Sequence, residues 1–164
     1  MYYEYPLNIQ NGLEYARRWA YSRNPEYYDF DTLGGDCTNF VSQCIYAEGA
    51  VMNYTKDTGW YYISLNDRAA AWTGVEYFCR FIIYNKGTGP FGELVPFYNA
   101  QAGDVIQLGT DMGFYHSLYV ISVINGIIYV AAHTNDTYAR PLDTYLFDKA
   151  RCIHIIGARR YINR

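Results

Sequence analysis

The feature that most constrains this chain is a change of hydrophobic period near residue 104: apolar positions recur at helical spacing before it and in strand-like runs after it. The spacing of Leu13, Ala16, Trp19 and Ala20 predicts a helix from a capping box at Asn11 and Glu14 to about Ser22, ended by Asn24-Pro25. A second helix is expected from Cys37 to Gly49, with Asp36 as its side-chain cap and Phe40, Val41, Cys44, Ile45 and Ala47 on its apolar side. A third starts at a Thr73/Glu76 capping box and carries Val75, Phe78, Cys79, Ile82 and Ile83; residues 85–92 then read as a glycine-rich loop. Beyond Asp104 the segments 104–108, 114–123, 127–133 and 152–158 are dense in β-branched and aromatic residues, and Asn125-Gly126 is a hairpin turn. Helices first and an antiparallel sheet after them predict an α+β fold with segregated layers.

At 164 residues, 51% hydrophobic and 18% charged, the chain is long enough for one domain, 1–164, with its own core. A net charge of -3 without a long run of one sign leaves no footprint for nucleic acid or an anionic membrane, and Arg159, Arg160 and Arg164 read as a solvated end. No stretch reaches the roughly 18 apolar residues of a membrane span. The start, Met1 to Pro6, lacks a secretory signal, so the protein is expected to stay where it is made or to have lost an upstream segment. Cys37, Cys44, Cys79 and Cys152 form no CxxC pair; the last three are expected to be buried fillers. No metal or organic cofactor is implied, because Gly87-Thr-Gly-Pro-Phe-Gly92 follows a helix rather than a strand and contains proline.

Gly34-Gly35-Asp36-Cys37 places a thiol in the first turn of a predicted helix, where free N–H groups and the macrodipole favour a thiolate. A cysteine nucleophile needs a base. His116 opens a predicted strand near a loop rim, whereas His154 reads as a satisfied strand residue. With a two-residue turn at Asn125-Gly126, Ile124 faces Ile127 and His116 faces Asn135, which puts His116, His133 and Asn135 on one side of the sheet. Either His133 or Asn135 could then orient the imidazole.

The run Gly-Gly-Asp-Cys-Thr-Asn-Phe-Val-Ser-Gln (34–43) resembles the cysteine motif of the putative amidase domain family of spore-forming and related bacteria. That family is similar to the papain-like peptidases that include the NlpC/P60 cell-wall enzymes. Trp60-Tyr-Tyr, Trp72-Thr-Gly-Val, Ala102-Gly-Asp-Val-Ile-Gln, His116-Ser and His133-Thr extend the likeness over nearly the whole chain. The resemblance implies a papain-like fold, Cys37 as nucleophile, His116 as base and His133 as orienter, with Asn135 as the alternative. It further implies hydrolysis of an amide bond in peptidoglycan or a peptide, at the cell wall if the protein is exported. Asp36, Trp60 and Tyr61 are the expected substrate-contacting residues, since Trp60, Tyr61 and Tyr62 follow the cysteine helix and could wall a groove. The rival readings are a non-catalytic wall- or peptide-binding module, for which the 20 tyrosines would serve, and acyl transfer by the same Cys–His pair.

Overall fold

The computed structural model describes residues 1–163; Arg164 lies outside the described residues. The architecture is α+β: helices α1 (Ile9–Trp19), α2 (Cys37–Ala47), α3 (Ala70–Thr73) and α4 (Val75–Tyr84) accompany a large antiparallel sheet. The predicted strands appear as β5 (Val105–Thr110), β6 (Gly113–Ile124), β7 (Ile127–Ala132) and β9 (Lys149–Tyr161). Three further strands join them: β1 (Tyr2–Tyr5), β4 (Gly89–Val95) and β8 (Thr137–Pro141). β2 (Tyr62–Ser64) and β3 (Asp67–Arg68) form a separate ribbon. β9 organises the sheet, pairing with β1, β4 and β5, and the hairpins β5–β6–β7–β8 continue from it.

The second helix begins at Cys37 as expected, the other two starts shift, and none of the three has its predicted side-chain cap. The first cap is Asn8, whose Oδ1 accepts from Asn11 N–H at 3.3 Å, so the helix begins before the Asn11/Glu14 box. Neither Asp36 nor Thr73 makes a side-chain cap bond. The expected loop at residues 85–92 contains much of β4, which pairs only with β9; this position tolerates Pro90, because a strand with one partner leaves half its N–H groups unused.

The sheet has two apolar faces. One packs against α1, α2 and α4 through Tyr119, Ala131 and Ile153, opposite Ala16, Phe40, Val41, Cys44 and Phe78. The other carries Ile106, Leu108, Leu118, Val120, Val130 and Ala132 and is covered by Leu142 and Tyr145 of the segment after β8. Where α1, α2 and β6 meet, the Tyr119 hydroxyl donates to Glu48 Oε1 at 2.6 Å. Gly12 is required there: a Cβ would lie 2.2 Å from the Tyr119 oxygen. Burial pushes the Glu48 carboxyl up to about 8. Among the described residues no helix is long and apolar enough to cross a membrane.

Candidate active site

The loop into α2 is built on two left-handed residues, Gly34 (φ 87°) and Gly35 (φ 97°), a conformation that a side chain resists. They set Asp36 and Cys37 facing different ways. Cys37 lines a cleft of about 420 Å³ with His116 and Asn135, among others. Asp36 turns into the core: its Oδ1 accepts from Phe30 N–H and from Asn39 Nδ2, both at 2.9 Å, and its Oδ2 lies 2.5 Å from His133 Nδ1. It is thus a buried junction residue and does not touch the cleft.

The β6–β7 hairpin explains why the two histidines part. Ile124↔Ile127, Val123↔Ile128 and Ser122↔Tyr129 follow the expected register, but the next pairs are Val120↔Val130 and Tyr119↔Ala131. A bulge at Ile121 has inserted one residue into β6. Every position before it therefore changes face relative to β7. His116 shares a face with Leu108, Leu118 and Ala132, while His133 lies on the helix-packed face with Ser117 and Ala131. The expectation that His116 and His133 share a side is overturned by this single residue. β7 also stops at Ala132, after which Thr134 (φ 65°) and Asn135 (φ 59°) turn the chain; where β7 has left β6, the start of α2 takes its place, with Thr38 Oγ1 3.0 Å from Ser117 Oγ.

His133 is fully engaged elsewhere. Nδ1 meets Asp36, Nε2 lies 2.7 Å from the Trp19 carbonyl, and the ring stacks on Phe40 with centroids 4.1 Å apart. Both nitrogens face acceptors, so the His133–Asp36 pair must hold two protons between them: an imidazolium with a carboxylate, or a neutral imidazole with a carboxylic acid. Arg23 adds a second tie. Its guanidinium makes two 2.9 Å bonds to Asp136 and one of 2.6 Å to Asp31, and approaches Asp29 and Asp36 at 3.4 and 3.6 Å. Burial opposes the Arg23 charge, but Asp136 and Asp31 outweigh it and hold the group above its ordinary range. Arg23 so links the loop before Cys37 to the turn carrying Asn135; sequence alone offered no signal for it.

His116 has no hydrogen bond to its ring among the described residues and is flanked by Tyr115 and Tyr145 at 6.4 and 6.2 Å. Burial, with the nearby Arg140 charge, pulls its pKa down to about 4. Burial likewise pushes the Cys37 thiol up, against the Ser117 backbone N–H and the Thr38 hydroxyl, which favour the thiolate. The resting pair is accordingly a neutral thiol and a neutral imidazole. The expected ease of thiolate formation at the helix start does not survive burial at 6% exposure.

Trp60 and Tyr61 do not wall the cleft. Trp60 is wholly buried, its Nε1 donating to Ser42 Oγ at 3.0 Å and its ring 4.6 Å from that of Trp72; Tyr61 is buried too, with its hydroxyl 3.3 Å from Asp67. Their place near the cysteine helix in sequence reflects core packing. His154 bonds Asp104 Oδ1 at 2.8 Å, away from the cleft. All four cysteines are free and buried.

A helix-start thiol and a strand imidazole sharing one cleft on an α+β frame define a general class, and comparison with known proteins narrows it. Residues 7–156 match the family described as "Putative amidase domain", and the chain belongs to that family. The uncharacterized protein YhbB of Bacillus subtilis (strain 168) is 30% identical over 140 residues, covering 78% of this chain; the match spans 42% of that protein's length. No solved structure matches. Family membership points to amide hydrolysis in general terms.

Proposed function

We propose that the chain is a cysteine-dependent amidase or peptidase of papain-like plan, with Cys37 as nucleophile and His116 as base. The observation that carries this reading is the shared cleft: Cys37 at the start of α2 and His116 on β6 come from distant parts of the sequence and line the same space. Substrate brings the neutral pair into action. His116 takes the thiol proton as Cys37 Sγ attacks the carbonyl carbon; the C–N bond breaks as His116 returns that proton to the leaving amine; water then hydrolyses the thioester. The first-turn N–H groups of α2, which a helix leaves without internal acceptors, are the natural donors to the oxyanion.

Of the two orienters weighed from the sequence, Asn135 is favoured, because it lines the cleft and His133 has no free ring nitrogen. Peptidoglycan is the proposed source of the amide, by resemblance to the cell-wall branch of these hydrolases, and would require the protein to reach the wall. The aromatic run at Trp60 lends this no support. The test is release of new amino groups from purified peptidoglycan and from blocked peptides. Release that is lost in Cys37→Ala and His116→Gln supports the reading; release that persists in Cys37→Ala removes it. Cleavage of peptides but no wall type would keep the mechanism and remove the wall. Binding without release would favour the non-catalytic module, and amide exchange in place of hydrolysis would favour acyl transfer.

A further inference from the structure

The cleft contains a cation that the mechanism above does not use. Arg140, on β8, pairs with Val130 and so shares the sheet face of His116. It is the only Asp, Glu, Lys or Arg among the described residues lining the cleft. No carboxylate lies within ion-pair distance of it among the described residues, in contrast with Arg23, Arg151 and Arg159, each of which has an acidic partner.

Its guanidinium is nonetheless held in place. Nε donates to Thr144 Oγ1 at 2.8 Å, Nη2 donates to the Thr144 carbonyl at 3.0 Å, and the plane lies over the Tyr145 ring at 3.7 Å. Two of the five N–H donors are thereby used, and the rest have no hydrogen-bond partner among the described residues. Ala139, immediately before, sits at φ 61°, a conformation costing about 1 kcal/mol or more for a residue with a side chain. Stacking and hydrogen bonds together fix a charge that no acidic side chain among the described residues pairs with.

We propose that Arg140 is the anion-recognising residue of the Cys37 cleft and selects amide substrates bearing a free carboxylate close to the scissile bond. The inference rests on the amidase reading for its word "scissile" but on geometry for the anion. A planar fork with free donors matches a carboxylate, and a guanidinium already immobilised loses little freedom on binding. A further consequence follows for the base. Arg140 helps to depress His116, so a bound carboxylate would cancel that effect and raise the basicity of the imidazole when substrate is present.

Two probes test this. The first is alkylation of Cys37 by iodoacetate and by iodoacetamide, read by mass mapping and normalised to free cysteine. The iodoacetate to iodoacetamide rate ratio is expected to be about tenfold higher in the native protein than in Arg140→Gln, with Arg140→Lys between and the difference shrinking in high salt. Equal ratios, or a Cys37 that neither reagent reaches, would overturn the proposal. The second is calorimetric binding of a blocked peptide containing glutamate, and of its glutamine counterpart, to Cys37→Ala. The glutamate peptide is expected to bind about tenfold tighter, a preference lost when Arg140→Gln is added. Equal affinities overturn the anion site. The two readings fail separately: charge preference without amine release removes the amidase, and amine release indifferent to glutamate or glutamine removes the role of Arg140.

Discussion

Asp36 and Cys37 are neighbours in the chain, yet Asp36 binds one histidine in the core and Cys37 shares a cleft with another. On the core side, His133 is stacked, doubly hydrogen-bonded and paired to a carboxylate that Arg23 also approaches. On the cleft side, His116 is buried but carries no hydrogen bond to its ring among the described residues, and the Arg140 charge opposes its protonation. The first arrangement occupies both ring nitrogens and the second leaves them free. Polar satisfaction thus separates a histidine that holds the loop from one whose ring nitrogens are left for the cleft.

The largest expected effect falls on His116. His116→Gln should lower kcat/KM on any cleaved amide by about 10³-fold, the worth of a general base, while leaving the melting temperature near that of the native protein. Full turnover in that variant would erase the distinction between the two histidines. His133→Ala should do the reverse, costing about 3–5 kcal/mol in denaturant unfolding, because it leaves the buried Asp36 carboxyl without its imidazole partner. Turnover per folded molecule should stay within a few-fold. A stable but inactive His133→Ala protein would instead restore it as the orienter.

Acid sharpens the same contrast. His116 titrates near 4 when folded against about 6.5 when unfolded, so the unfolded chain binds more protons between those values. This group leaves stability unaffected above about pH 6.5 and lowers it progressively, by up to about 3 kcal/mol, as pH falls through about 4. Denaturant titrations of the native protein and His116→Gln at stepped pH would show this slope flattened in the variant; parallel curves would refute the assignment. The smallest effect is expected from Asn135→Ala, about fivefold in turnover and little in stability, the worth of one neutral hydrogen bond.

How much of this could be read from the sequence differs by region. β5, β6, β7 and β9 were legible because dense β-branched and aromatic runs impose strand geometry, and α2 because its apolar stripe and Gly49 mark its course. β4 was hidden, since Gly89, Pro90 and Gly92 read as breakers. At Gly92 the glycine is demanded by a strand neighbour: a Cβ would stand 2.1 Å from the His154 carbonyl oxygen. That Cys37 and His116 would line one cleft was legible from helix start and motif, but the partner of His133 was not, because a bulge leaves no trace in residue type. Trp60 misled for a related reason: aromatic content reports neither which side of a sheet a ring occupies nor whether it reaches solvent. Arg140 and Arg23 were invisible, because their roles depend on which carboxylates the fold does or does not bring to them.

The bulge at Ile121 gives β6 two phases along one strand. From the hairpin turn to Ser122 the alternation keeps step with β7 in one phase, and from Val120 back to His116 it runs in the other. A one-residue deletion at Ile121 would straighten the strand and leave every pair on either side of it in place. A deletion at Tyr119, between the bulge and the cleft, would act differently: were the bulge and the hairpin turn to hold their register, Ser117 would swing towards Leu108's face and the imidazole would be carried towards the helices. Every side chain lining the cleft would be intact in identity and its address lost, so the position of a deletion along β6 matters more than its size.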